Sequence, residues 1–95
     1  MPAVHLMGGS DTGHGCHPPR PNVAGSPNVF VEKKQVHRVR DKWAPHCCGP
    51  ECHASELAEG SMTVFINGMG CGRIGDKVGC GSVCADGAST VFAGG

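Results

Sequence analysis

Six histidines and seven cysteines share a chain of 95 residues. Most gather in three short stretches: GHGCH at 13–17, HCCGPECH at 46–53 and GCGSVC at 79–84. Imidazole nitrogen and thiolate sulfur are the donors of closed tetrahedral zinc sites. In each stretch one such residue follows an aspartate by three to five positions: His14 after Asp11, His46 after Asp41 and Cys80 after Asp76. The pattern predicts one ion held by these three residues and a fourth. His53 is the first candidate for the fourth, because it lies in the longest stretch and can fold back beside His46. Cys52, Cys48 and His17 are the alternatives.

Two catalytic chemistries compete with that reading. Cys47 or Cys48 beside His46 could act as a nucleophile, but such a site needs a cleft and an oxyanion hole for which so short a chain has little room. A catalytic metal would keep one position open for water, with a carboxylate beside it as base. The recurrence of Asp11, Asp41 and Asp76 points instead to loop caps that accept backbone N–H bonds. No catalytic residue is expected. Cys16, Cys71 and Cys84 are expected to be small buried packing residues. His5 and His37 stand away from the loops and are expected at the surface or in packing.

The composition asks for such a site. A domain of this size buries little apolar surface and needs a metal, disulfides or a partner to be stable. The odd number of cysteines and the accompanying histidines favour the metal over a disulfide framework. Sixteen glycines and seven prolines, against one tryptophan and three phenylalanines, favour turns and short strands over helices. Eight basic and eight acidic side chains cancel, which leaves no positive field for nucleic acid or anionic lipid. No stretch approaches the ~20 apolar residues of a membrane span, and the N-terminus lacks the charged start and apolar run of a secretory signal. Synthesis in the cytoplasm is expected.

The elements that must position the ligands are written as repeats. GSPNVFVEKKQVHRVRDKW (25–43) and GSMTVFINGMGCGRIGDKV (60–78) run in register without a gap, and GASTVFAGG (87–95) repeats the opening and stops. The N-terminal AVHLMGGSDTGH supplies the missing second half, with Val4-His5 matching Val36-His37 and Asp11 matching Asp41. A unit repeated at fixed period buries its apolar face against its neighbours. The split unit predicts closure, and so a single 1–95 domain of units 25–59, 60–86, and 87–95 joined with 1–24. Each unit reads as a β-hairpin followed by a loop. Glu32 to Gln35 is the expected turn of the first, and Asn67-Gly68, a favoured hairpin dipeptide, that of the second. CHPPRPNVAGSP reads as an extended, proline-stiffened connection. HASELAEG (53–60) is the one stretch with helical preference, and it is marginal alone. Arg38 with Asp41 and Arg73 with Asp76 are expected as surface ion pairs worth roughly 0–1 kcal/mol.

GSPNVFVEKKQVHRVRDKWAPHCC and GSMTVFINGMGCGRIGDKVGC resemble the repeats of PAAR-repeat proteins, with QVHR and GCGR in place of Pro-Ala-Ala-Arg; the likeness extends to GHGCHPPRP. It implies an all-β, conical, pseudo-threefold domain with one structural zinc near the apex, held by three histidines and a cysteine: His14, His46, His53 and Cys80. It implies a non-enzymatic tip that caps and sharpens a trimeric β-helical, membrane-piercing spike. The spike would belong to a contractile-tailed phage virion or a type VI secretion apparatus, with one tip per trimer and transient contact with the target envelope. A zinc-binding adaptor that attaches an effector to the spike is the alternative. No nucleic acid and no small-molecule substrate are implied. Val29, Phe30, Val64, Phe65, Val91 and Phe92 are expected at the spike interface or in the core above it.

Overall fold

Glu32, Lys33, Asn67 and Gly68 take positive φ values of 53°, 69°, 54° and 81°, the backbone of two-residue hairpin turns whose twist matches their strands. In the computed structural model, which describes residues 1–95, the first pair joins β1 (Phe30–Val31) to β2 (Lys34–Gln35). The turn expected over Glu32 to Gln35 is therefore only Glu32-Lys33, because Lys34 and Gln35 already belong to the ladder. β3 (His46–Cys48) and β4 (Glu51–His53) form a second antiparallel hairpin, which the repeats do not announce. β5 (Phe65–Ile66) and β6 (Met69–Gly70) form the third, around Asn67-Gly68. The chain ends pair like the first and third hairpins: Ala3 bridges Phe92, Val4 N–H donates to Val91 O, and Ala93 N–H donates to Pro2 O. The fold is all-β.

Three of these hairpins meet on an axis. His5 N–H donates to Gly72 O at 2.8 Å, Gly72 N–H to His37 O at 2.8 Å, and His37 N–H to His5 O at 3.1 Å. Each segment thus donates to the next in a closed ring. A side chain at Gly72 would put its Cβ 2.8 Å from His37 O and 2.9 Å from Leu57 Cδ2, so the axis is too tight there for anything but glycine.

A second ring runs through the turns. Asn67 accepts from Ser26 Oγ and donates to Asn28 Oδ1. Glu32 accepts the N–H groups of Ser89 and Thr90, and Gly94 O accepts from the Ser61 hydroxyl and Arg73.

The interior is layered along a body of 37 × 24 × 22 Å. One apolar cluster, Val4, Leu6, Val36, Cys71, Ala88 and Ala93, lies under the hairpins, with Val29, Val31 and Ile66 packed against it. Beyond the axial ring, His5 stacks on Trp43 and His37 meets it edge-on. Trp43 belongs to a second cluster with Leu57, Val78 and Cys84, against which Cys80 packs.

HASELAEG is not helical. Leu57, fully buried, bridges Val78, and Glu56 bridges Lys42. Tertiary burial and extended pairing outweigh a propensity too short to nucleate. The Arg38–Asp41 and Arg73–Asp76 pairs are not surface pairs: their side chains are 8–14% exposed. Each arginine grips its carboxylate through two nitrogens, at 2.9 to 3.0 Å, the stronger bidentate geometry.

Candidate metal centre

His14 lies at the mouth of a tight turn in which it and His17 exchange both backbone hydrogen bonds, with Gly15 at positive φ between them. His46 and His53 are directly opposed across β3 and β4, one residue inside the Cys47–Cys52 pair. Cys80 sits in a turn closed by Val78 N–H to Ser82 O and Gly81 N–H to Val78 O. The four donor atoms, one from each residue, lie within 4.8 Å of one another.

The histidine nitrogens converge. Nε2 of His46 is 3.1 Å from Nε2 of His14 and 2.7 Å from Nε2 of His53, and the last two are 3.0 Å apart. His46 Nδ1 faces the Pro18 carbonyl at 2.8 Å. A carbonyl only accepts, so Nδ1 carries the proton and Nε2 presents a lone pair inward. A proton on one neighbour could serve one pair in this trio and leave the others lone pair against lone pair. A cation between them serves all three, and the sulfur beside them makes the set one that suits zinc.

The electrostatics favour ligand-ready forms. Partial burial first, and then the neighbouring imidazoles, hold His14 and His53 below the ordinary histidine range. Burial alone would raise the Cys80 thiol; hydrogen bonds from Ser82 and the nearby Arg20 charge outweigh it and bring the thiol below its usual range.

Arg20, 4% exposed, is the residue that sequence reasoning missed. Its guanidinium donates to Cys80 Sγ at 2.9 Å, to Asp11 Oδ2 at 3.1 Å and to Ala44 O at 2.9 Å, and it lies over the Trp43 ring. One buried cation thus ties together the three ligand-bearing loops. The Asp11 carboxylate also accepts from Ser82 Oγ and from the N–H groups of Gly13 and Arg20. Burial opposes its ionised form, but these bonds outweigh it and lower its pKa. The available signal was that Leu6 occupies the place of Arg38 and Arg73, which leaves Asp11 without the arginine of its own unit.

The other sulfurs divide. Cys71 and Cys84 are buried, as expected of packing residues, and burial pushes the Cys71 thiol up to about 11. Cys16 is not a lone packing residue: it is exposed and disulfide-bonded to Cys48, while Cys47 is bonded to Cys52. The expectation that the cysteines form no disulfide framework therefore fails for four of the seven. Those bonds take Cys48 and Cys52 out of the ligand alternatives. His17 packs its ring against His14, His46 and His53 without joining the group of four. His5 and His37 are packing residues, fully buried on the axis.

Residues 12–86 match the family described as the PAAR motif. The chain belongs to the PAAR-motif family. The motif is a structural one, associated with the spike tip of type VI secretion, and not a catalytic one. Two curated relatives from Pseudomonas aeruginosa are each 35% identical over 79 residues: the NAD(P)(+) glycohydrolase toxin Tse6 of strain PAO1 and the (p)ppApp synthetase toxin Tas1 of strain UCBPP-PA14. The match covers 77% of this PAAR chain and 18% of each toxin, so the chain spans less than a fifth of the length of the relatives it matches.

Proposed function

We propose that residues 1–95 form one PAAR domain of three units (25–59, 60–86, and 87–95 with 1–24) that caps the trimeric β-helical spike of a type VI secretion apparatus. One zinc, held by His14, His46, His53 and Cys80, rigidifies the apex. The observation that carries this reading is the three-way presentation of apolar side chains by the hairpins. Phe30, Phe65 and Phe92 stand 57%, 58% and 51% exposed at equivalent positions, with Val64 and Val91 beside them and Val29 half-buried behind. Exposed phenylalanines repeated around one axis match a partner with threefold symmetry, and a single chain meets such a partner on its axis only if its own face is roughly threefold. At the other end of the layered interior an apex has little volume for an apolar core, and a bound metal supplies folding free energy instead.

The toxin relatives favour a secretion machine over a phage tail. They also support a second reading, in which this PAAR domain attaches a toxin to the spike.

Mixing the chain with its trimeric spike tests the main reading. One chain per trimer is expected, with binding lost in the Phe30→Asp, Phe65→Asp double variant. Three chains per trimer, or undiminished binding by that variant, overturns it. Binding that requires a toxin partner selects the adaptor reading. Elemental mass spectrometry should find about one zinc per chain.

A further inference from the structure

Each of the three clustered histidines stands within two residues of a disulfide cysteine. His46 adjoins Cys47 and His53 adjoins Cys52 on facing strands, and His14 is two residues from Cys16. The Cys47–Cys52 bond fixes the register that sets His46 opposite His53. The Cys16–Cys48 bond, with Cα atoms 5.3 Å apart, fastens the His14 turn to the same hairpin. Only Cys80, held from beneath by Arg20, has no such staple.

We infer that the two disulfides and the apical metal are thermodynamically coupled, so that the apex is a redox-gated metal site. This rests on the zinc reading of His14, His46, His53 and Cys80. A two-residue tip, Gly49-Pro50, joins strands of three residues each, and an isolated hairpin that short is marginal in water. With both bonds formed, ordering of the hairpin and of the His14 turn precedes metal capture, and the binding free energy is not spent on it. With both bonds open, the metal must order them itself.

The Cys47 and Cys52 thiols do not take over as ligands while the register holds. Cys47 points to the face of β3 opposite His46, because side chains alternate along a strand. Linkage makes the effect reciprocal: the factor by which oxidation tightens metal binding is the factor by which metal favours the disulfides. The oxidising step is exchange with a low-molecular-weight disulfide. For each bridge two thiols lose two protons and two electrons, one protein S–S bond forms, and the small disulfide is cleaved to two thiols.

The test is zinc affinity measured by chelator competition on the oxidised protein and on protein held reduced by a phosphine. The oxidised form is expected to bind roughly 10- to 100-fold more tightly, the range of common coupling free energies. The Cys47→Ser, Cys52→Ser variant should lose most of that difference while Cys16–Cys48 remains formed. Thiol–disulfide equilibria in a glutathione buffer should shift by the same factor when zinc is added. Equal affinities in the two redox states overturn the coupling and leave the zinc reading intact. Tighter binding by the reduced form overturns it too, and makes the thiols ligands. Absence of zinc binding in both states overturns the zinc reading and the coupling together.

Discussion

Ser26 and Ser61 perform one task twice at the base of the molecule, each hydroxyl accepting the N–H groups two and three residues on. At the apex only His46 and His53 share an element; His14 and Cys80 each come from a separate turn. Even where the base loses a serine, at Ala88, the symmetry is repaired from a neighbour: the Glu32 carboxylate accepts from the N–H and hydroxyl groups of both Ser89 and Thr90. The base holds many modest interactions in threefold repetition, and the apex gathers its metal-capable donors in one asymmetric cluster. Threefold likeness suits the proposed role of a surface that meets a threefold partner. A cluster of four donors cannot be threefold, and the extra donor comes from a hairpin inserted in one unit.

The sharpest way to break that contrast is to empty the apex. Stripping zinc with a strong chelator, or making Cys80→Ala or His46→Ala, should lower Tm by ~20 °C or more, since structural zinc supplies several kcal/mol and each is worth about 4–8 °C in a domain this small. Calorimetry that finds an unchanged Tm would reject the ligand set. Next is Arg20→Met, which strands the Asp11 carboxylate in a site where the two side chains are 3% and 0% exposed. Leaving one member of a buried pair uncompensated costs about 3–5 kcal/mol. Adding Asp11→Asn should recover part of that loss. A cobalt-substituted protein should show an altered thiolate band in Arg20→Met, because the Cys80 sulfur loses its hydrogen bond.

Much of the base was legible because repetition is visible in a linear string. GSPNVF, GSMTVF and GASTVF mark the same strand three times, and Asn67-Gly68 announces its own turn. His14, His46 and Cys80 could be singled out because each follows an aspartate in a matching place. What remained hidden lies where the units differ. The β3–β4 hairpin has no counterpart in the other units, and the Cys16–Cys48 pairing spans 32 residues of sequence separation. Arg20 stands in a connection that reads only as extended chain. HASELAEG misled because local helical preference is decided by tertiary contacts, here the burial of Leu57.

A smaller effect tests the layer between the two ends. His37 is fully buried, donates Nδ1–H to Ala24 O and leaves Nε2 without a partner. Burial, chiefly, lowers its pKa to about 4. The unfolded chain takes up this proton near pH 6.5, and the folded chain resists until about 4. The contribution is therefore whole above 6.5 and is lost as pH falls toward 4, about 3 kcal/mol in all. Denaturant titrations of the protein and of His37→Gln at pH 7 and pH 4.5 isolate it: the variant should lose less stability on acidification, and equal losses would place the titration elsewhere.

The smallest expected change in stability is the most informative about the base. Phe30→Ser removes a side chain that is already more than half exposed, so it should move Tm little, within the ~0.5 kcal/mol usual for surface sites. Glu32→Ala, two residues on, removes bonds that replace the missing third serine, and should lower Tm more than Phe30→Ser does. A face shaped only by folding would show the opposite order in spike binding, with the destabilised Glu32 variant the weaker binder. A face shaped for a threefold partner should show Phe30→Ser, stable but missing one of three anchors, as the greater loss. Binding measured on the two variants at one temperature, well below both Tm values, separates the anchor from the scaffold that presents it.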